Sequence, residues 1–170
     1  MSTKIAQEII LGIDPGFGRT GFAVIEKIQN IFKVKCYGCI ETSSKKKFID
    51  RLQELHEELQ TVIKKYQPSV VAVEDLFFAK NVKTAMQVGQ ARGVILLTLV
   101  EAKLPIFEFT PLQVKQAVTG YGRAEKGQVE KMLKMLFNLK KKITPDDAAD
   151  ALAVALTCGA SMKVLSKTRS

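Results

Sequence analysis

The stretch Ile9-Ile10-Leu11-Gly12-Ile13-Asp14-Pro15-Gly16 decides how the rest of the chain is read. A short apolar run bounded by Pro and Gly predicts a buried central strand. It ends on a carboxylate that such a strand does not ordinarily tolerate, because an ionised group taken out of water is costly unless it is paired or bound to a metal. Asp before Pro-Gly is also good turn chemistry. Asp14 alone therefore admits both a turn and a site. The theme returns downstream: Val70-Val71-Ala72-Val73-Glu74-Asp75 is a second buried strand ending in acid, and Asp147 and Asp150 follow in an otherwise apolar helix.

The chain of 170 residues, 46% hydrophobic and 25% charged, suits a single domain over its full length, with a frayed basic tail from about residue 163. A formal net charge of +9 gives it a long-range attraction for polyanions, nucleic acid first among them. Residues 1–8 carry neither an export signal nor an acylation motif, and the longest apolar stretch, Val94 to Val100, is too short to span a bilayer. Three cysteines leave an odd thiol, consistent with a reducing cytoplasm. Cys36 and Cys39 have zinc-ligand spacing, but there is no second Cys or His pair, and in a strand they would face opposite ways. His56 is the only histidine and lies in a charged helical stretch, where a solvated side chain is expected. Hydrolytic chemistry here does not rest on imidazole.

Gly16, Gly18 and Gly21 predict a flexible turn into a strand over Thr20 to Ile28, with a third strand over Phe32 to Thr42. Phe48, Leu52, Leu55, Leu59, Val62 and Ile63 recur at helical spacing until Pro68. After the Glu74 strand, a helix is expected from Val82 to Glu101. Its Ala85, Gly89 and Gly93 form a face almost without side-chain bulk, and spacing alone admits packing on the chain's own sheet or on another helix. A strand over Ile106 to Phe109 follows. Thr110-Pro111 starts a helix, Gly120-Tyr121-Gly122-Arg123 breaks it, and another runs from Glu125 to Phe137. Thr144-Pro145-Asp146-Asp147 then has an N-cap, Pro at N1 and early acids, opening a helix to about Met162. The order βββαβαβααα implies an α/β fold, a mixed five-stranded sheet with helices on both faces.

Asp147 and Asp150, three apart, share one face of the last helix. Asp147 also fits a capping pair with Thr144. Asp150 sits in Ala148-Ala149-Asp150-Ala151-Leu152-Ala153-Val154, with no basic residue within one turn, and so needs a counterion. Ligands of open α/β sheets collect at the carboxyl ends of the strands, where Asp14 and Glu74 already are. If the last helix starts at that edge, the four acids converge. An all-carboxylate set is a hard oxygen site for Mg²⁺, or Mn²⁺ in its place, and two such ions can activate water and stabilise the leaving oxygen of a phosphodiester. With the basic surface, this points to a metal-dependent nuclease.

Six segments carry a resemblance to a known family. Gly12-Ile13-Asp14-Pro15-Gly16, Val73-Glu74-Asp75-Leu76-Phe77-Phe78-Ala79-Lys80-Asn81, Gly89-Gln90-Ala91-Arg92-Gly93, Gln113-Val114-Lys115-Gln116, Ala124-Glu125-Lys126 and Asp147-Ala148-Ala149-Asp150-Ala151-Leu152-Ala153 resemble, in collinear order, the bacterial RuvC family of crossover (Holliday) junction endodeoxyribonucleases. The resemblance implies a ribonuclease-H-like fold, a homodimer, paired symmetric nicks across a four-way DNA junction in recombination and repair, and work alongside the RuvA–RuvB branch-migration complex. It carries the catalytic, metal-binding acids over to Asp14, Glu74, Asp147 and Asp150, and it tips the Ala85, Gly89 and Gly93 face toward the dimer contact. The turn Phe17-Gly18-Arg19 receives no role.

Phe77 and Phe78 follow Glu74 directly. One is expected in the core, and the other could stack on an unpaired base, a task for which the resemblance favours Phe77. Lys115, Arg123 and Lys126 surround a glycine-broken loop opening a helix, suited to phosphate contact, although Arg123 fits a solvated surface equally well. An actin-like or sugar-kinase-like ATPase shares the Asp-x-Gly turn, but such folds usually need two domains and a second phosphate loop. A non-enzymatic junction-binding scaffold would have no use for Asp150 in an apolar helix.

Overall fold

The computed structural model describes residues 7–75 and 82–165, and within the second range the side chains of 82, 83 and 163–165 are not described. Five strands and five helices follow in the expected order: β1 Gln7–Asp14, β2 Arg19–Ile28, β3 Ile31–Glu41, α1 Phe48–Tyr66, β4 Val70–Glu74, α2 Val82–Glu101, β5 Ile106–Phe109, α3 Pro111–Thr119, α4 Lys126–Leu136 and α5 Asp146–Leu165. The sheet runs β3-β2-β1-β4-β5. The first three strands are antiparallel neighbours, whereas β4 lies parallel to β1 and β5 parallel to β4.

Strand alternation sends side chains to two cores. Ile10 and Ala72 face the side covered by α3, α4 and α5, while Leu11, Ile13, Val71 and Val73 face α1 and α2. The buried strands are thus apolar on both faces, which is why they appear as unbroken runs. On one side, α1 contributes Leu55, Leu59 and Val62, and α2 contributes Ala91, Ile95 and Leu99. On the other, α5 is buried along nearly its whole length, from Ala148 through Cys158 with only Asp150 partly exposed.

Glycine sets how close α5 comes. A Cβ at Gly12 would lie 2.2 Å from the Ala151 carbonyl oxygen, and one at Gly21 would lie 1.9 Å from that of Asp147. Both glycines sit on the same face as Ala23 and Ala72, so the helix backbone rests almost directly on β1 and β2. Ala151 and Ala155 complete the fit from the helix side. A chain rich in alanine there gains little from bulk and much from close contact.

Helix ends follow local chemistry. Thr110 caps α3, accepting from the Gln113 N–H while the Gln113 side chain receives the Thr110 N–H, and Pro111 occupies the first turn. Gly120 ends the helix at φ 78°, the left-handed geometry favourable to glycine. Two expectations need correction. The last helix opens at Asp146 rather than with Pro145 inside its first turn, and it runs past Met162 to Leu165. His56 is not simply solvated: its Nδ1 lies 2.8 Å from Oγ1 of the buried Thr98, linking α1 to α2.

β3 forms one margin of the sheet. A bulge in its pairing with β2 leaves Lys35 without a partner opposite, because Val24 pairs with Cys36 and Ile25 with Val34. Ile31, Lys33, Lys35 and Glu41 are its exposed positions.

Candidate active site

The parallel pairing of β1 and β4 aligns Ile13 with Val73, so the next residues, Asp14 and Glu74, stand side by side at the carboxyl ends of adjacent strands. By alternation they continue the face of Gly12 and Ala72, the face on which α5 lies. α5 begins over Gly21, the residue paired with Asp14, and therefore delivers Asp147 and Asp150 to the same edge. Asp14, Glu74, Asp147 and Asp150, from three elements, lie near enough there for the other three to act on the charge of Asp14.

Their electrostatics record the crowding. Burial, and then the charges of Glu74, Asp150 and Asp147, push the Asp14 carboxyl up to about 8. Burial also raises Glu74, while a hydrogen bond from Asp14 and the nearby Lys115 and Lys126 ease its charge. Burial and mutual repulsion therefore favour one proton held between the two carboxyls.

Asp147 and Asp150 are each engaged by a cation. Arg19 Nε lies 3.2 Å from Asp147 Oδ2 and 3.5 Å from Glu41 Oε1. Lys126 Nζ lies 3.0 Å from Asp150 Oδ2 and 3.6 Å from Asp146 Oδ2. The counterion that Asp150 lacks within its own helix thus comes from the first residue of α4. With these pairs formed, no three Asp, Glu, His or Cys side chains among the described residues are gathered as ligands of one ion. The donor set nonetheless fits a divalent cation: it is oxygen-only, partly dehydrated, and carries a carboxyl whose ionisation its buried, like-charged surroundings oppose and added positive charge would favour.

One wall of the site is basic. A recess of about 260 Å³ is lined by Glu74, Lys115, Lys126 and Asp150 over a floor that includes Val114 and Val129. Lys115 projects from α3 and Lys126 opens α4, whereas Arg123 lies exposed in the turn between them. Phe77 and Phe78 fall outside the described residues. Just before them, Asp75 is held by Arg92 at 3.4 Å, and Arg92 also pairs with Glu108, tying α2 to the edge where β4 and β5 end.

The Gly89 and Gly93 face of α2 does not touch the chain's own core. Both glycines are exposed, and an added Cβ at either would meet nothing within 4 Å among the described residues. Ala85 is half-buried nearby, and the exposed Met86, Leu97 and Val100 lie on the same helix. Packing on the sheet falls instead to Ala91, Ile95 and Leu99.

Sequence reading missed Arg19 and the sheet-facing glycines. The available signal was parity: Arg19, Gly21 and Ala23 alternate onto one face of β2, but only the register with β1 shows that this face carries the acids.

Comparison with known proteins agrees with this geometry. The family model described as crossover junction endodeoxyribonuclease RuvC matches residues 10–158. A crossover junction endodeoxyribonuclease RuvC of Petrotoga mobilis is 56% identical over 151 residues, spanning 89% of this chain and 93% of the relative. That of Halothermothrix orenii is 54% identical over 156 residues, spanning 92% and 94%. The Thermus thermophilus RuvC solved in complex with a Holliday junction substrate superposes with a TM-score of 0.87 at 33% identity, covering 92% of this chain and 96% of that one. The mixed sheet with helices on both faces is accordingly ribonuclease-H-like, and the chain belongs to the RuvC family of crossover junction endodeoxyribonucleases.

Proposed function

We propose that this protein resolves four-way DNA junctions by paired, symmetric, Mg²⁺-dependent nicks during recombination and repair. The observation that carries the reading is the convergence of Asp14, Glu74, Asp147 and Asp150 beside the Lys115 and Lys126 wall, in a chain of this family. The four acids are the metal-binding catalytic set, with Mn²⁺ able to replace Mg²⁺ and two ions per site. Bound there, the ions supply an activated water and neutralise the leaving oxygen. Asp14 yields its proton when the site loads. Glu74, aligned with it by the sheet, fixes the spacing of the carboxylates. Lys115, Lys126 and Arg123 hold the phosphate backbone, and Phe77, two residues past Asp75, is the candidate for stacking at the junction centre.

Two nicks in symmetry-related strands require two sites, and a two-fold homodimer supplies them. The exposed Gly89 and Gly93 of α2, with half-buried Ala85 and the exposed Met86, Leu97 and Val100 beside them, support that contact. The same reading takes residues 1–170 as one nuclease domain, since both cores share a single sheet, and takes the RuvA–RuvB complex as a partner in the cytoplasm. Among the described residues no helix is long and apolar enough to cross a membrane.

A nicking assay with Mg²⁺ on a synthetic four-way junction, beside linear duplex and RNA–DNA hybrid, tests the proposal. Wild-type protein is expected to cut the junction selectively. Asp14→Asn, Glu74→Gln and Asp150→Asn should each abolish cutting while junction binding persists. Loss of binding in all three would count against a metal-ligand role.

A further inference from the structure

The turn between β1 and β2 is more tightly held than its two glycines, Gly16 and Gly18, suggest. Gly18, at φ 87°, offers its carbonyl to the Thr42 N–H at 2.9 Å, and the Thr20 hydroxyl donates to the Gly16 carbonyl at 3.0 Å. The Phe17 ring lies 4.0 Å beneath the Arg51 guanidinium and 5.1 Å from Phe48, while Arg51 also donates to the Thr42 hydroxyl at 3.0 Å. Arg19 leaves this braced turn as the first residue of β2. Its register partner is Glu41, and its face is that of Gly21, over which Asp147 sits. The guanidinium therefore reaches the site from the β2–β3 side, whereas Lys126 reaches it from α4.

We propose that Arg19 is a positioning residue of this site: its guanidinium holds Asp147 in the metal-free protein and competes with a divalent cation for that carboxylate, while Glu41 draws off part of its charge. The inference rests on Asp147 facing the metal. Arg19 Nε occupies Asp147 Oδ2 at 3.2 Å, so an incoming ion must displace the guanidinium or bind against its positive charge. Glu41, at 3.5 Å on the same nitrogen, gives Arg19 a second carboxylate to retire to. Both partners of the Arg19–Asp147 pair keep solvent access, at 51% and 32% exposure, so the competition tunes affinity without blocking the site. The result is a free protein whose fourth acid is compensated and released only when a stronger cation arrives.

The test is Mn²⁺ binding by the DNA-free protein, measured by calorimetry and by the paramagnetic resonance of bound Mn²⁺. Arg19→Gln is expected to tighten binding by about threefold to tenfold. Arg19→Lys should return affinity toward wild type, and Glu41→Gln should weaken binding, since Arg19 then gives its whole charge to Asp147. In an Asp147→Asn background, Arg19→Gln should change nothing. An Arg19→Gln protein that binds Mn²⁺ no more tightly than wild type, beside an Asp147→Asn protein that binds it less tightly, overturns the role of Arg19 alone. An Asp147→Asn protein that binds Mn²⁺ as wild type does overturns the assignment of Asp147 and the role of Arg19 with it. A variant that loses structure would weaken binding, and opposite signs from Arg19→Gln and Glu41→Gln cannot arise from misfolding.

Discussion

Asp14 holds its proton near neutrality because burial and three neighbouring carboxylates oppose its ionisation. Its folded value of about 8 lies above the ordinary 3.8, so the folded state binds the proton more strongly than the unfolded chain does. The corresponding stability is fully present below about pH 4 and is lost as pH rises through about 8. Glu74, raised in the same direction, adds to the slope. In chelator, the metal-free protein should therefore lose stability between about pH 5 and pH 8, on the order of a few kcal/mol, and melt at progressively lower temperature. Asp14→Asn replaces the titrating group with a neutral amide and should flatten the profile, melting higher than wild type at the alkaline end. Thermal unfolding followed by circular dichroism checks this, and equal slopes for the two proteins would show that Asp14 is not the group responsible.

At the scale of elements, the contact of α5 with β1 decides whether a site exists. Gly12→Ala places a methyl 2.2 Å from the Ala151 carbonyl oxygen, a backbone atom that cannot turn aside. The expected loss is about 1–3 kcal/mol or more, with nicking reduced beyond what stability explains because Asp147 and Asp150 move with the helix. Gly127→Ala is the contrast: its Cβ meets nothing within 4 Å, and the substitution should be neutral or stabilising by up to about 1 kcal/mol. Calorimetric melting of the two proteins separates close packing from a general intolerance of alanine. The elements themselves were legible in the chain, because apolar periodicity and capping residues act locally. β5 and α2 have the bounds that the sequence predicts, and both strand-end acids were found from the oddity of a charge closing a buried run. What stayed hidden is relational. The Lys126–Asp150 and Arg19–Asp147 pairs join residues far apart in sequence, and no window of sequence contains both members. His56 misled for the same reason, since its partner Thr98 lies on another helix.

For the whole molecule, the proposed two-fold pairing is tested at the exposed face of α2. Gly89 has open space beside it among the described residues, so Gly89→Leu should leave the fold and its melting temperature nearly unchanged while blocking close approach of a second helix. Sedimentation is expected to find a monomer, and a supercoiled cruciform substrate should receive one nick per binding event instead of two. A dimer that still cuts both strands would move the interface elsewhere. This outcome is sharper than truncating Met86 or Leu97, because it adds bulk where no described residue is a neighbour.

The lysines of β3 bear on how copies meet when they crowd onto one polyanion. An unpaired strand margin is an open template for another strand, and neutralisation by DNA would bring such margins together at high local concentration. Here the bulge at Lys35 breaks the run of available backbone groups, and Lys33 and Lys35 hold positive charge along the outer strand. Sheet cannot extend sheet along that margin. The pairing proposed through α2 thus has no competing strand addition at that margin, and crowding of copies on a polyanion would not extend the sheet into fibres there.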